Sequence, residues 1–249
     1  AILGGTGKLG SALIQQINSQ KENLTKNLNF GVCVNTIASS SKMFTASCLV
    51  DFDDIEGLLD SDEAQDMDLD ALTASLKTDV NPHRVVIDCT NDDHVANYYE
   101  KWMSAGVNVI SPGRRAAAGS LDRYHDIKKA MRGNTVEWQY ESAVGSALPI
   151  ISTLRDLVQT GDEVISVRGC LSGTMAYVFH SMDEKTSFSE AAQQADDQDF
   201  VENDIREDLS GLDVARKVVI IARELGLDIS LDDVEVESIL PDELLNKNY

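Results

Sequence analysis

Residues 1–10 read Ala1-Ile2-Leu3-Gly4-Gly5-Thr6-Gly7-Lys8-Leu9-Gly10. An apolar triplet gives way to glycines spaced G-x-G-x-x-G, and residues 9–17 continue with helical periodicity. The order is strand, tight loop, helix. In such a loop the first glycine permits the turn and the second lets a pyrophosphate approach the backbone. The third lets helix and strand pack closely, and the helix N-terminus adds positive potential. The spacing predicts a dinucleotide site on Gly5, Thr6, Gly7, Lys8, Leu9 and Gly10. A glycine-rich turn with no ligand has the same spacing, so the rest of the chain must decide between them.

Beyond the loop the chain alternates. Apolar runs recur at residues 30–37, 85–90, 107–111 and 135–140. Amphipathic stretches separate them, one running through Trp102 and another over residues 121–131. Strands alternating with helices predict βαβ units around a parallel sheet. Residues 51–72 are strongly acidic and read as a solvated helix-loop surface. After Pro149 the texture changes. "IISTLRDLVQTG" reads as a helix stopping on Gly161, residues 163–170 read as a strand, and further helices come after it. The fold class predicted is α/β: a Rossmann-type parallel sheet over residues 1–147, then a second α+β domain over residues 148–249.

Composition narrows the partners. The 249 residues are 43% hydrophobic, enough for one large core or two modest ones. Against 21 basic residues stand 42 acidic ones, for a formal charge of −21. Such a surface lacks the basic stripe a nucleic-acid binder needs to displace counterions, and it repels anionic membranes. No apolar run approaches the ~20 residues of a spanning helix. The partner expected is a small-molecule ligand. Cys33, Cys48, Cys89 and Cys170 are scattered without metal-ligand spacing. Cys33, Cys89 and Cys170 sit in apolar, strand-like surroundings, which predicts free thiols in a reducing compartment. The chain opens mid-strand, so the polypeptide is expected to begin earlier.

Several stretches carry chemistry. An NAD-preferring site usually has a carboxylate at the end of the second strand. Here Ala38-Ser39-Ser40-Ser41-Lys42 stands there. Hydroxyls and a lysine suit a 2′-phosphate, so NADP(H) is expected over NAD(H), with Ser41 and Lys42 discriminating; a polar loop without that role is the alternative. Asp213 and Lys217 are spaced i, i+4 on a helix whose apolar face holds Leu212, Ala215, Val219 and Ala222. They are either a surface ion pair or an acid–base pair aimed at a carbonyl. Ser210 and Asp208 read as helix caps. The small-residue loop from Glu141 to Pro149 offers a carboxylate and free carbonyls, either for a hard monovalent cation or simply as a tight crossover. "GCLSGTMAY" reads as a capped turn or as amides holding a substrate carboxylate. "VISPGRRA" brings Arg114 and Arg115 to the carboxyl end of a strand, the edge where α/β proteins bind ligands.

Together the glycine loop, "VVIDCTND", "VISPGRRA", "YESAVGSALPIISTLRDL", "SGTMAYVF" and "EDLSGLDVARKVVIIARELG" resemble homoserine dehydrogenase, most closely the dehydrogenase region of bifunctional aspartate kinase–homoserine dehydrogenases. The resemblance implies a two-domain oxidoreductase, a dimer or higher oligomer, interconverting L-homoserine and L-aspartate 4-semialdehyde on the route to threonine and methionine. It places Lys217 on the proton donor, Asp213 on its partner and Glu202 on the substrate amino group. Gly173, Thr174 and Asp208 fall on other substrate-side positions, and Thr90 beside the nicotinamide. Glu141, Val144, Ser146 and Leu148 fall on a loop for Na+ or K+.

Departures stand beside the matches. The family reads Asn-Lys-Lys where this chain has Gly113-Arg114-Arg115, and Arg114 occupies the lysine seat between cofactor and substrate. Arginine keeps the charge but cannot give up a proton. Gly145-Ser146-Ala147 replaces Gly-Ala-Gly, and Phe200-Val201-Glu202-Asn203 replaces Tyr-Thr-Glu-Pro. The second domain is expected to be truncated at Tyr249. A weakened relative serving as a nucleotide-binding or regulatory module is the rival reading, and another amino-acid or semialdehyde dehydrogenase the third. The compartment depends on the source, cytoplasm for a bacterium and plastid for a plant or alga.

Overall fold

The β-branched run Val85-Val86-Ile87 builds a strand beside the opening triplet, and the sheet grows outward from that pair. The structure, a computed structural model, describes residues 1–49, 54–76, 83–198, 200–201 and 205–241. It separates into two units: Ala1–Ala116 with Asp122–Tyr140, and Ala117–Leu121 with Glu141–Tyr249.

In the first unit the strands are β1 (Ile2–Leu3), β2 (Val34–Ala38), β3 (Lys42–Leu49), β4 (Gln65–Asp66), β5 (Val85–Asp88), β6 (Asn108–Ile110) and β7 (Trp138–Gln139). Among the described residues they form one sheet in the order β4-β3-β2-β1-β5-β6-β7. β2, β1, β5, β6 and β7 run parallel. β3 is antiparallel to both β2 and β4. The antiparallel edge departs from the all-parallel expectation for a mechanical reason. Only Ser39, Ser40 and Ser41 link β2 to β3, whereas a parallel return needs about a dozen residues or more. Ser39 makes the turn: its Oγ accepts the amides of Ser41 and Lys42 at 3.3 and 3.0 Å.

Connecting the strands are α1 (Lys8–Leu28), α2 (Ile55–Leu59), α3 (Leu69–Leu76), α4 (Asp93–Ala96), α5 (Tyr99–Ser104), α6 (Arg115–Ala118) and α7 (Leu121–Asn134). Ile14 of α1 packs with Ile2, Val34, Ile37, Phe44 and Leu59 in one apolar cluster. Trp102, Tyr99, Trp138 and Tyr140 are fully buried in the same unit. The acidic stretch is more than solvated surface: Leu59, Leu69 and Leu72 are buried and Gln65–Asp66 extends the sheet. Residues 51–53 of that stretch lie outside the described residues.

The second unit carries α8 (Ile150–Gln159), α9 (Gly173–Ser181), α10 (Phe188–Asp197), α11 (Ile205–Leu209) and α12 (Leu212–Glu224). α9 and α10 pack through Val178, Ala191 and Ala195, and α10 opens with a reciprocal capping box between Ser187 and Glu190. Residues 163–170 form no strand, and Ile165 is 93% exposed. A strand exists only where a neighbour takes its amides and carbonyls, and the described residues of this unit include no other strand. Cys33 and Cys170 are likewise exposed rather than enclosed in strands; with half-buried Cys89 they are free thiols. No helix among the described residues is long and apolar enough to cross a membrane.

Candidate functional site

The glycine loop leaves β1 with Gly4 at φ +71° and enters α1 at Lys8. A Cβ at Gly10 would overlap the carbonyl oxygen of Gly4, so only glycine lets helix and loop close this tightly. The loop borders a cavity of about 780 Å³. Gly4, Thr6 and Gly7 line it at one end, with Ser39 and Ser40 from the β2–β3 turn and Thr90 just beyond β5. Lys8 and Leu9 are exposed on α1 outside the lining, and Gly5 faces a second cavity of about 420 Å³ along α1. The larger cavity lies where the strand order reverses, the place at which open α/β sheets bind ligands.

Sequence reasoning missed part of the lining. Met67 and Leu69 reach the cavity from the acidic stretch, and Asn91, Asp93 and His94 from the segment after β5. Arg115 lines the cavity and Arg114 does not; Arg114 is half-buried and partnered. Arg115 pairs with Asp93 at 2.9 Å, and Arg123 takes the other oxygen of that carboxylate at 3.0 Å. The Pro-Gly break was the signal that located this edge, but which arginine turns inward depends on Asp93, a residue remote in sequence. Ser41 and Lys42 also stay outside the lining. The Lys42 ammonium is bound to Asp66 at 2.8 Å across the β3–β4 pair, which holds the Asp66 carboxyl below its ordinary range.

At the end of β5 Asp88 is 3% exposed. Its Oδ1 accepts the Thr90 amide at 2.8 Å and the Thr90 hydroxyl at 2.6 Å. Its Oδ2 accepts the phenol of buried Tyr99. Burial pushes the carboxyl of Asp88 up, against the pull of these hydrogen bonds, and pushes the Tyr99 phenol well up. Burial, and then the charge of Asp88, push the Cys89 thiol up to about 11.

In the second unit, Lys217 and Asp213 are a buried pair rather than a surface one. Their side chains are 12% and 8% exposed, with Nζ 2.6 Å from Oδ2. Lys217 Nζ also donates to the Leu171 carbonyl at 2.7 Å. That carbonyl immediately precedes Ser172, whose Oγ accepts the Met175 amide and caps α9 at Gly173. Thr174 shares its hydroxyl proton between the Phe200 carbonyl at 3.0 Å and Asp208 Oδ2 at 3.1 Å. Asp208 lies inside α11 and is tied to α9 through Thr174. α12 follows Gly211, which lies in the left-handed region, and Ser210 Oγ accepts the amide of its first residue, Leu212, at 3.3 Å. Lys217, Asp213, Gly173, Thr174 and Asp208 thus all lie in the second unit. Glu202 lies outside the described residues.

Glu141 opens a short 3-10 turn, Glu141–Ala143. Its two carboxylate oxygens accept the amides of Ile151 and Ser152 at 2.8 and 2.9 Å, at the start of α8. Val144, Ser146 and Leu148 lie next, on a loop that passes through two left-handed residues, Gly145 and Ser146.

Known proteins share the same two-part plan. The profile of the homoserine dehydrogenase NAD-binding domain matches residues 5–141, and that of homoserine dehydrogenase residues 149–247. The chain is 39% identical over 241 residues to the chloroplastic bifunctional aspartokinase/homoserine dehydrogenase 2 of Zea mays, covering 96% of this chain and 26% of that protein. It is 37% identical to the bifunctional aspartokinase/homoserine dehydrogenase of Haemophilus influenzae, covering 96% and 29%. The chain thus spans little more than a quarter of the length of the curated relatives it matches. Among solved structures, a protein of unknown function from Candida auris superposes with a TM-score of 0.82 at 31% identity, over 100% of this chain and 69% of that one. A homoserine dehydrogenase from Thermoplasma acidophilum shares the fold, with a TM-score of 0.71 at 24% identity over 94% and 70%. Glycine loop, strand order and both domain profiles agree: the chain belongs to the homoserine dehydrogenase family.

Proposed function

We propose that this chain carries the dehydrogenase activity of its family, interconverting L-homoserine and L-aspartate 4-semialdehyde. The observation that carries the reading is the Lys217–Asp213 pair. A surface i, i+4 pair has no need of burial, yet this one is buried, and a backbone carbonyl takes another of its protons. An ammonium has three N–H donors. Asp213 and Leu171 engage two of them, and the third is left for a substrate oxygen. Lys217 Nζ then holds the proton delivered to the carbonyl oxygen on reduction and takes it back on oxidation, a role general acids fill at hydrogen-bond distance. Asp213 holds that ammonium in place. Thr174, Asp208 and the amide end of α9 at Gly173 supply the polar ground on which the amino acid rests, with Glu202 assigned to its amino group.

A nicotinamide cofactor, when bound, supplies or accepts the hydride. Its fit is supported by the closeness of Gly10 to Gly4 and by the 780 Å³ cavity beside the loop. Gly4, Thr6 and Gly7 would hold the pyrophosphate, and Thr90 the nicotinamide end. NADP(H) is the preferred form in this reading. Ser39 and Ser40 in the lining, with Ser41 and Lys42 beside them, put hydroxyls and an ammonium at the end of β2 where the ribose 2′ group falls. Arg114 keeps a permanent charge in the seat of the family's lysine, so its part is electrostatic. A monovalent cation would be held by Glu141 and the carbonyls of Val144, Ser146 and Leu148, an all-oxygen set suited to a hard ion. A homo-oligomer is the assembly this reading carries.

The test is semialdehyde-dependent oxidation of NADPH. Lys217→Ala is expected to lower kcat by about 10²- to 10⁴-fold, the usual worth of a general acid, with NADPH affinity retained. Unchanged turnover in the variant would remove Lys217 from the chemistry.

A further inference from the structure

Thr90 lines the cavity with a hydroxyl whose proton is already spoken for. Its amide and its hydroxyl both reach Asp88 Oδ1, at 2.8 and 2.6 Å. An ionised carboxylate only accepts, so the Thr90 hydroxyl, like the amide, donates to Oδ1. Its other oxygen, Oδ2, accepts the Tyr99 phenol, which holds the carboxylate in place. Movement of Thr90 is also restricted. Its methyl group lies 3.2 Å from where a Cβ on Gly4 would stand, and its carbonyl oxygen 3.2 Å from where one on Gly113 would stand. What its hydroxyl can still offer a ligand in this cavity is therefore its lone pairs.

We propose that Asp88, held by Tyr99, is a positioning residue that fixes Thr90 Oγ1 as a hydrogen-bond acceptor, and that the group it selects is the carboxamide NH2 of the nicotinamide ring. This rests on the dinucleotide reading above and goes past it: it says which end of the carboxamide Thr90 recognises and which buried residues set that choice. An unconstrained threonine could serve either end. Here the carbonyl end is refused, because no proton remains to offer it.

Binding of NADP+ and of 3-acetylpyridine adenine dinucleotide phosphate, which keeps the carbonyl and replaces NH2 by methyl, tests the inference by calorimetry. The unaltered protein is expected to bind the analogue about 3- to 10-fold more weakly, the worth of one hydrogen bond. Thr90→Val should weaken NADP+ by that same factor and leave the analogue unchanged. Thr90→Ser should keep the discrimination. Asp88→Asn, which retains an oxygen toward Thr90, should also keep it, and Asp88→Ala should abolish it. The ratio of the two dissociation constants is the readout, and a general loss of packing does not move it. Should Asp88→Ala fail to fold, the Thr90 variants carry the test alone. Equal weakening of both dinucleotides by Thr90→Val, or equal binding of the two by the unaltered protein, overturns the inference and leaves the dinucleotide reading standing. Failure of the unaltered protein to bind NADP+ or NAD+ overturns both.

Discussion

Lys42 shows how far a single residue can be read from its neighbours in sequence. Hydroxyls and a lysine at the end of β2 suggested a 2′-phosphate site, and the turn does bring Ser39 and Ser40 to the cavity. The lysine itself is held by Asp66, which lies on β4 and is remote in sequence. The pair is exposed, 46% and 91%, so it is weak and screened by salt. A 2′-phosphate must nonetheless compete with it for the ammonium. Asp66→Asn is therefore expected to favour NADP+ over NAD+ by a further two- to fivefold or so at low ionic strength, fading at high salt. Dissociation constants for both nucleotides at two salt concentrations check this, and an unchanged ratio removes Lys42 from cofactor choice. The glycine loop and the Asp213–Lys217 spacing were legible because each is a local pattern; Thr90 was reached through the family resemblance alone. The Asp66 contact and the inward turn of Arg115 were not, since both depend on a carboxylate brought in by the fold from another segment.

Helix α8 poses the same question for an element. Its apolar periodicity and its stop near Gly161 were legible, because both arise from local sequence. Its start after Pro149 was read as well; the residue that secures that start was not, since it lies ten positions upstream. Glu141 gives one oxygen to each of two amides at the head of α8, so a residue assigned by resemblance to a cation also acts as a helix cap. Charge at a helix N-terminus and the two bonds act together. Glu141→Ala is expected to cost about 1–2 kcal/mol. Glu141→Gln should cost less, because one oxygen can still accept. Denaturant unfolding followed by far-UV circular dichroism gives the order, and a variant as stable as the unaltered chain would show that the cap is idle. The strand expected at residues 163–170 failed for the converse reason. Alternation describes a strand's faces, but pairing makes the strand, and pairing is not local.

At the scale of the whole molecule, the formal charge of −21 makes pH the broadest control on stability. The carboxylates of the first unit act with opposite signs. Asp66 and Asp70 are held below their ordinary range by Lys42 and Lys101. Their stabilisation is present above the unfolded carboxylate range and is lost as pH falls through their folded values. Asp88 is raised, chiefly by burial. Its contribution is complete below the unfolded range and is lost as pH rises through its folded value, so an ionised Asp88 is a cost at neutral pH. A clean probe exists because both tryptophans of the chain, Trp102 and Trp138, are buried in this unit together with Asp88. Tryptophan fluorescence during urea unfolding therefore reports the unit in which the charge sits. As pH falls toward the unfolded carboxylate range, the midpoint of the unaltered protein should rise relative to that of Asp88→Asn, which cannot titrate. Below about pH 4 both should fall together as Asp66 and Asp70 take up protons. Parallel curves over the upper range would mean that Asp88 titrates alike in folded and unfolded chains, and that its burial carries no electrostatic cost.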